Sequence, residues 1–382
     1  MIAQRTKIPI VLEPERRTLD VELFEAALRE KIVGQDEAVA QLVNIYETVL
    51  ACMTMPGRPI ANLLFLGPTG SGKTRIVEAA AEILFGSPNA FVKIDCGEFQ
   101  HSHEISKLVG SPPGYIGHRE TPAVLNQNAI DQFQTDGLKM TFLLFDEIEK
   151  ANDALWRLLL GVLDKGALTL GDNQKVDLSR VIVVMTSNLG AEEMYRFATG
   201  SIGFASGSIH ESVEQTDKRI DSVAMSAAKR YFSPEFMNRL DKVIVFHVLT
   251  PVQLRGVLEI ELTQLRKRIK SMRPQQPFRF DCTPETKEFL IREGTDTKYG
   301  ARPLKRAIER YIVLPLARLL STDQIVRGDK LTIDVAPGKP ELVFRKEDLT
   351  AQPRQSPTND SDQSWEPYVS AESRTVSRLL KS

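Results

Sequence analysis

The stretch Asn62-Leu63-Leu64-Phe65-Leu66-Gly67-Pro68-Thr69-Gly70-Ser71-Gly72-Lys73-Thr74 constrains this chain more than any other. Residues 62–66 form a short apolar run suited to a strand buried on both faces, and residues 75–84 repeat with helical period. A glycine-rich turn joins the two. Gly67, Gly70 and Gly72 let the backbone curl so that successive N–H groups face inward, with Pro68, Thr69 and Ser71 completing the loop. The following helix adds the partial positive charge of its N-terminus, an arrangement that binds phosphate. In the pattern G-x-x-x-x-G-K-[ST], Lys73 reaches the β- and γ-phosphates and Thr74 ligates Mg2+, so a nucleotide is the expected ligand.

A second apolar run, residues 141–145, leads straight into Asp146-Glu147. A carboxylate pair at the end of a buried strand beside a phosphate loop has a clear use: Asp146 is expected to hold the metal and Glu147 to act as general base. A further strand, residues 181–185, ends in Thr186-Ser187-Asn188. An amide at a strand's carboxyl end lies where α/β sheets bind ligands, so Asn188 is assigned either to orienting the attacking water or to touching the γ-phosphate.

The rest of the chain sets the frame. At 382 residues, 42% apolar and 26% charged, it is long enough for two domains plus tails. We expect an arm over 1–20, a large domain over 21–248, a smaller one over 249–346 and a polar, disordered tail over 347–382. The longest apolar runs fall short of the roughly 20 residues that a spanning helix needs, and the start of the chain lacks a signal-peptide core. Cys52, Cys96 and Cys282 are widely spaced, which reads as a reducing compartment, the cytoplasm. A net charge of −1 exerts no general pull on nucleic acid, and Arg266-Lys267-Arg268 with Lys270 reads as the solvated face of a helix. His101 and His103 near Cys96 lack a suitably spaced fourth ligand, so no metal is expected there.

Local signals add detail. Asp36 is expected to cap a helix running to Leu50, and Thr250-Pro251-Val252-Gln253 has the form of a capping box. Leu304, Ile308, Ile312 and Leu316 share one face of a helix that Pro315 should kink. Glycine and proline crowd residues 108–117 and put Tyr115 on a loop, where composition alone reads it as a tyrosine tucked into a surface turn. Residues 199–207 read as a flexible loop carrying two exposed apolar residues.

Six motifs in order, G-P-T-G-S-G-K-T, L-V-G-S-P-P-G-Y-I-G, L-L-F-D-E-I-E-K-A, M-T-S-N-L-G, P-E-F-M-N-R-L-D and Y-G-A-R-P-L-K-R, resemble the Clp family of AAA+ unfoldases over roughly residues 20–345. The likeness is greatest to the second ATPase module of two-ring disaggregases and protease-coupled members. It implies an α/β fold: a P-loop large domain with a parallel sheet, then a smaller, mainly helical α+β lid domain. It also implies ATP as the nucleotide, hydrolysis coupled to threading of protein substrates, and a homo-hexamer. Arg239 would be the arginine finger reaching a neighbouring subunit, Arg302 the second sensor, and Ile32 and Val33 the lining of the adenine pocket. Tyr115 with Ile116 would form the pore loop that grips a polypeptide, displacing the bland reading, and Asp177 would fall in a second pore loop over 170–178.

Ile202-Gly203-Phe204 resembles the tripeptide that docks a ClpP-type peptidase; the alternative is an ordinary flexible loop. At this length we expect no amino-terminal substrate domain, first ring or coiled-coil insert, so clients would be selected through the short arm, the tail or a partner protein such as an adaptor. Residues 120–139 also depart from the pattern. A nucleotide-regulated scaffold and a DNA-remodelling motor are the rival readings. Neither a membrane nor nucleic acid is an expected partner.

Overall fold

A five-stranded, all-parallel sheet forms the centre of the larger part of the molecule. The structure, a computed structural model, describes residues 20–111, 123–198, 213–272, 278–295, 302–337 and 341–347. Helices α1 (Val21–Lys31) and α2 (Asp36–Leu50) precede strand β1 (Ala61–Leu66), which feeds α3 (Lys73–Phe85) through the glycine-rich loop. Next come β2 (Val92–Asp95), α4 (Ile105–Val109), α5 (Gln127–Asp131), β3 (Thr141–Asp146) and α6 (Asp153–Lys165). A small hairpin of β4 (Ala167–Thr169) and β5 (Lys175–Asp177) leads to β6 (Val181–Ser187). Helices α7 (Ala191–Ala198), α8 (Val213–Tyr231) and α9 (Pro234–Met237) then precede β7 (Lys242–Val245).

The sheet order β2-β3-β6-β1-β7 puts β1 between β6 and β7. Because both faces are covered, the central strands β1, β3 and β6 are mostly apolar, and successive side chains enter opposite cores. Leu64, Leu66, Leu143 and Phe145 pack on one side with α6 and α8; Leu63, Phe65, Phe142 and Leu144 pack on the other with α1, α2 and α3. Parallel register brings the carboxyl ends of β1, β3 and β6 together, with Leu66 opposite Ser187 and Asp95 opposite Asp146. The phosphate loop, the acidic pair and Asn188 therefore share one edge of the sheet.

One polar residue interrupts β1. Asn62 is fully buried, and its Nδ2 donates to the carbonyls of Leu163 (3.1 Å) and Arg239 (3.0 Å). Its own N–H is taken by Asp241 at 2.7 Å, and Asp241 also pairs with Arg58.

The smaller unit begins at α10 (Pro251–Met272), followed by β8 (Arg279–Cys282), α11 (Pro284–Gly294), α12 (Arg302–Ile308), α13 (Leu314–Ser321), β9 (Lys330–Val335) and β10 (Leu342–Lys346). It has a separate core, built from Leu258, Leu262, Phe280, Phe289, Leu304, Ile312 and Ile333 among others. The capping box forms as expected: Thr250 Oγ1 accepts from the Gln253 N–H at 3.3 Å and Gln253 Oε1 from the Thr250 N–H at 2.8 Å. Proline at 315 has no N–H to give Tyr311. The chain meets this with a π-helical turn, Glu309–Val313, between α12 and α13, where the Leu314 N–H reaches back to the Glu309 carbonyl.

Two local expectations are corrected. Asp36 does not cap α2: Gln35 occupies the N-cap position without a side-chain bond, while Asp36 sits in the first turn and pairs with Arg29 at 2.5 Å. Residues 170–178 are no simple loop, since Lys175–Asp177 pairs antiparallel with Ala167–Thr169; Asp177 is exposed on this hairpin and its N–H donates to Gln127 Oε1 at 2.8 Å. Within the unusual segment, residues 123–139 bury Leu125, Ile130 and Leu138 and are stitched to α4 through the Val124 and Leu125 N–H groups. Residues 1–19, Tyr115 and Ile116, the Ile202-Gly203-Phe204 tripeptide and residues 348–382 lie outside the described residues. Among the described residues no helix is long and apolar enough to cross a membrane.

Candidate nucleotide-binding site

A cavity of about 340 Å³ opens at the carboxyl ends of β1, β3 and β6 and is closed on its far side by α10 and α12. Its floor is the glycine-rich loop. Gly67, Gly70 and Gly72 all take positive φ, at 152°, 79° and 104°. Gly67 is the most constrained, because a Cβ there would lie 2.5 Å from the Phe246 carbonyl oxygen. At Gly72, the N-cap of α3, a Cβ would meet nothing within 4 Å, so that side of the loop faces open space. The first N–H groups of a helix have no intrahelical acceptor and the first turn of α3 holds no acidic residue, which leaves a cradle for an anion. Ser71 Oγ is buried with no partner among the described residues, as a polar atom awaiting a ligand would be.

Lys73 is only 7% exposed. Its Nζ donates to the carbonyls of Gly67 (2.7 Å) and Pro68 (2.9 Å) and to Asn188 Oδ1 (2.9 Å). Burial pushes its ammonium down to about 8; the charges of Glu149 and Asp146 pull it back up, while Arg302 pushes it further down.

Asp146 closes β3. Its Oδ1 accepts from Thr186 Oγ1 at 2.5 Å and from Thr74 Oγ1 at 3.5 Å, and its Oδ2 lies 2.7 Å from Lys93 Nζ. Burial alone would raise this carboxyl, but the bonds from Lys93 and Thr186 outweigh it and hold the group below the usual carboxylate range. Thr74 and Asp146 thus bring a hydroxyl and a carboxylate to the same corner, a hard-oxygen set that suits Mg2+.

Glu147 follows in the left-handed region, at φ 57°. That turn points its N–H at Thr186 Oγ1 (3.0 Å) and brings its Oε1 within 3.2 Å of Asn188 Nδ2, while Lys150 pairs with Oε2. Asn188 therefore bridges Lys73 and Glu147 with one amide.

The remaining site residues come from further away. Ile32 and Val33 line the cavity, and Val33 packs so closely on Gly256 of α10 that a Cβ there would lie 3.3 Å from its methyls. Arg302, at the start of α12, lines it from the smaller unit, next to a Lys305–Glu261 pair at 3.1 Å. Arg239 is not part of this cavity; its guanidinium is held by Asp164 at 2.7 Å and Glu235 at 3.0 Å.

The structure adds residues that sequence reasoning passed over: Lys93, Thr186, Glu149 and Gln35. Gln35 is buried and its Nε2 donates to the carbonyls of Ser71 (3.1 Å) and His247 (3.2 Å), tying the phosphate loop to the end of β7. Thr186 could have been found, since it precedes Asn188 by two positions on a strand that must adjoin β3.

Known proteins match this chain in two adjoining pieces. Residues 58–243 match the family model described as AAA domain (Cdc48 subfamily), and residues 249–333 the one described as the C-terminal, D2-small domain, of ClpB protein. The chain is 36% identical over 338 residues to the ATP-dependent Clp protease ATP-binding subunit ClpA homolog of Porphyra purpurea, across 88% of this chain and 39% of that protein. It is 36% identical over 336 residues to ClpC of Staphylococcus aureus strain USA300, across 87% of this chain and 39% of that one. Among solved structures, the S. cerevisiae Hsp104:casein complex in its extended conformation superposes with a TM-score of 0.71 at 29% identity, over 86% of this chain and 52% of that one. The chain spans about 39% of the length of the curated relatives named here. With the phosphate loop, the acidic pair and the small lid-side unit in this order, the chain belongs to the Clp family of AAA+ ATPases and resembles a second ATPase module.

Proposed function

We propose that this chain is an ATP-dependent protein unfoldase that assembles as a homo-hexameric ring and threads polypeptide through its pore. One observation carries the reading: Lys73, Asp146, Glu147 and Asn188 converge on a single cavity that also receives Arg302, while Arg239 stands outside it. Such a division suits a site completed by a neighbour. In it, residues 21–248 act as the ATPase domain and residues 249–346 as its lid.

We assign the roles from this geometry together with the family resemblance. The loop from Gly67 to Gly72 and the N-terminus of α3 bind the phosphates, Lys73 meets the β- and γ-phosphates, and Ile32 and Val33 hold the base. Thr74 and Asp146 would hold Mg2+, which when bound neutralises phosphate charge. Glu147 takes the proton from the attacking water on its carboxylate, oriented by Asn188 Nδ2. Arg239 is supplied to the next subunit and Arg302 couples the lid to the γ-phosphate side. Tyr115 and Ile116 grip the moving chain, since an amphipathic ring contacts any sequence without reading it closely.

The relatives' names support this reading: two are ATP-binding subunits of Clp protease, and Hsp104 was solved with casein. We propose a second step, delivery to a ClpP-type peptidase, on the resemblance of Ile202, Gly203 and Phe204 to a docking tripeptide. A cytoplasmic site of action fits three free cysteines.

The test is unfolding of a stably folded fluorescent protein bearing an unstructured tail, with ATPase followed in parallel. Wild type should unfold it, and Tyr115→Ala should lose unfolding while keeping most ATP turnover. Equal unfolding by Tyr115→Ala and wild type would overturn the threading role.

A further inference from the structure

We propose that Glu149 is a positioning residue for hydrolysis: it holds Asn188 from behind, so that the Asn188 amide spans Lys73 and Glu147. The proposal rests on the reading above that Asn188 works beside the γ-phosphate.

Glu149 lies on the 3-10 turn Ile148–Lys150 that follows the acidic pair, two residues beyond Glu147. Its Oε1 accepts the backbone N–H of Asn188 at 3.0 Å. Its Oε2 is fully buried and has no partner among the described residues. Its backbone carbonyl accepts the hydroxyl of Tyr231, the last residue of α8. One residue is therefore fixed to the chain just past β6 by its side chain and to α8 by its main chain.

That fixation matters because Asn188 sits just past the end of β6, where no ladder bond orients it. Rotation of its backbone would swing Oδ1 off Lys73 Nζ (2.9 Å) and Nδ2 off Glu147 Oε1 (3.2 Å) together. A carboxylate with one orphaned oxygen is a costly way to hold an N–H in a structural turn. It is a reasonable way to hold a group whose misplacement by about 1 Å costs on the order of a hundredfold in rate.

The experiment compares Glu149→Leu and Glu149→Gln, each alone and in an Asn188→Ala background, reading kcat for ATP and the Kd of a non-hydrolysable ATP analogue. Leucine keeps the bulk and removes the acceptor; glutamine restores it. Glu149→Leu should lower kcat by about a hundredfold with the Kd within about twofold, Glu149→Gln should recover most of that loss, and neither should lower kcat further once Asn188 is alanine. The inference is overturned if Glu149→Leu keeps wild-type kcat, if glutamine is as damaging as leucine, or if the losses multiply in the Asn188→Ala background, as a purely structural role would give. Wild-type kcat in Asn188→Ala alone would instead overturn the underlying reading of the site, and the inference with it.

Discussion

Raising the pH should expose the state of Lys73. In the free protein its ammonium titrates at about 8, chiefly because it is buried. A bound polyphosphate adds negative charge against Nζ and returns the group to its ordinary range near 10.5 or above. The sign follows: above pH 8 the free site lacks the proton that the complex needs, so binding takes one up and affinity falls as pH rises. At pH 8.5 a group with a free value of about 8 is protonated in roughly a quarter of molecules, so uptake is about three-quarters of a proton per nucleotide; at pH 7 it is only about 0.1. Affinity should drop by nearly tenfold per pH unit between about 9 and 10. Calorimetry of a non-hydrolysable ATP analogue in two buffers of different ionisation enthalpy measures the uptake directly. Lys73→Arg, charged at every accessible pH, should bind with almost none. Zero uptake by wild type at pH 8.5, or equal uptake by Lys73→Arg, would refute the argument that burial, relieved by phosphate, controls this lysine.

Two further outcomes are expected. Gly67→Ala would force a Cβ to within 2.5 Å of the Phe246 carbonyl at a φ of 152°, combining left-handed strain with a backbone collision; stability should fall by about 3 kcal/mol, measurable by denaturant or thermal unfolding. Arg239→Ala should leave the Kd for ATP unchanged, because the side chain is outside its own cavity, yet lower ring ATPase by about a thousandfold or more; a loss of affinity equal to the loss of rate would place the arginine in its own site.

What the sequence made legible is what local physics controls. The phosphate loop could be read because its conformation needs glycine and its charge needs lysine and a helix end. Asp146, Glu147 and Asn188 could be read because each follows an apolar run, and in a parallel sheet such runs end at the same edge. Lys93 and Glu149 act through neighbours that only the folded register supplies: Lys93 lies two residues before Asp95, which β2 places opposite Asp146. Asp36 misled for a related reason. It has a capping side chain, but Arg29, across the turn from α1, takes it instead. The hairpin of β4 and β5 escaped because its strands are three residues each, too short to show a period of two.

The buried Asn62 shows how the two halves of the proposed reaction are tied. Placing an amide near the start of a buried strand costs stability unless its hydrogen bonds are made; here Nδ2 spends both on carbonyls, one of them that of Arg239, while Oδ1 has no partner among the described residues. Asp241, four residues past the end of α9, takes the Asn62 N–H and clamps the same segment to the strand. Four residues further along β1, Leu66 delivers the chain to the phosphate loop. At roughly 3.3 Å per residue, the anchor of the outgoing arginine and the phosphate cradle stand about 13 Å apart on one strand, buried on both faces between two packed neighbours. That strand has little freedom to change its length. A nucleotide-driven movement must then come from the parts packed around it, and the unit carrying Arg302 is the one that reaches the cavity from outside the sheet. In the ring proposed above, such a strand would keep each subunit's Arg239 at a constant offset from its own ATP, leaving the motion to the unit that carries Arg302.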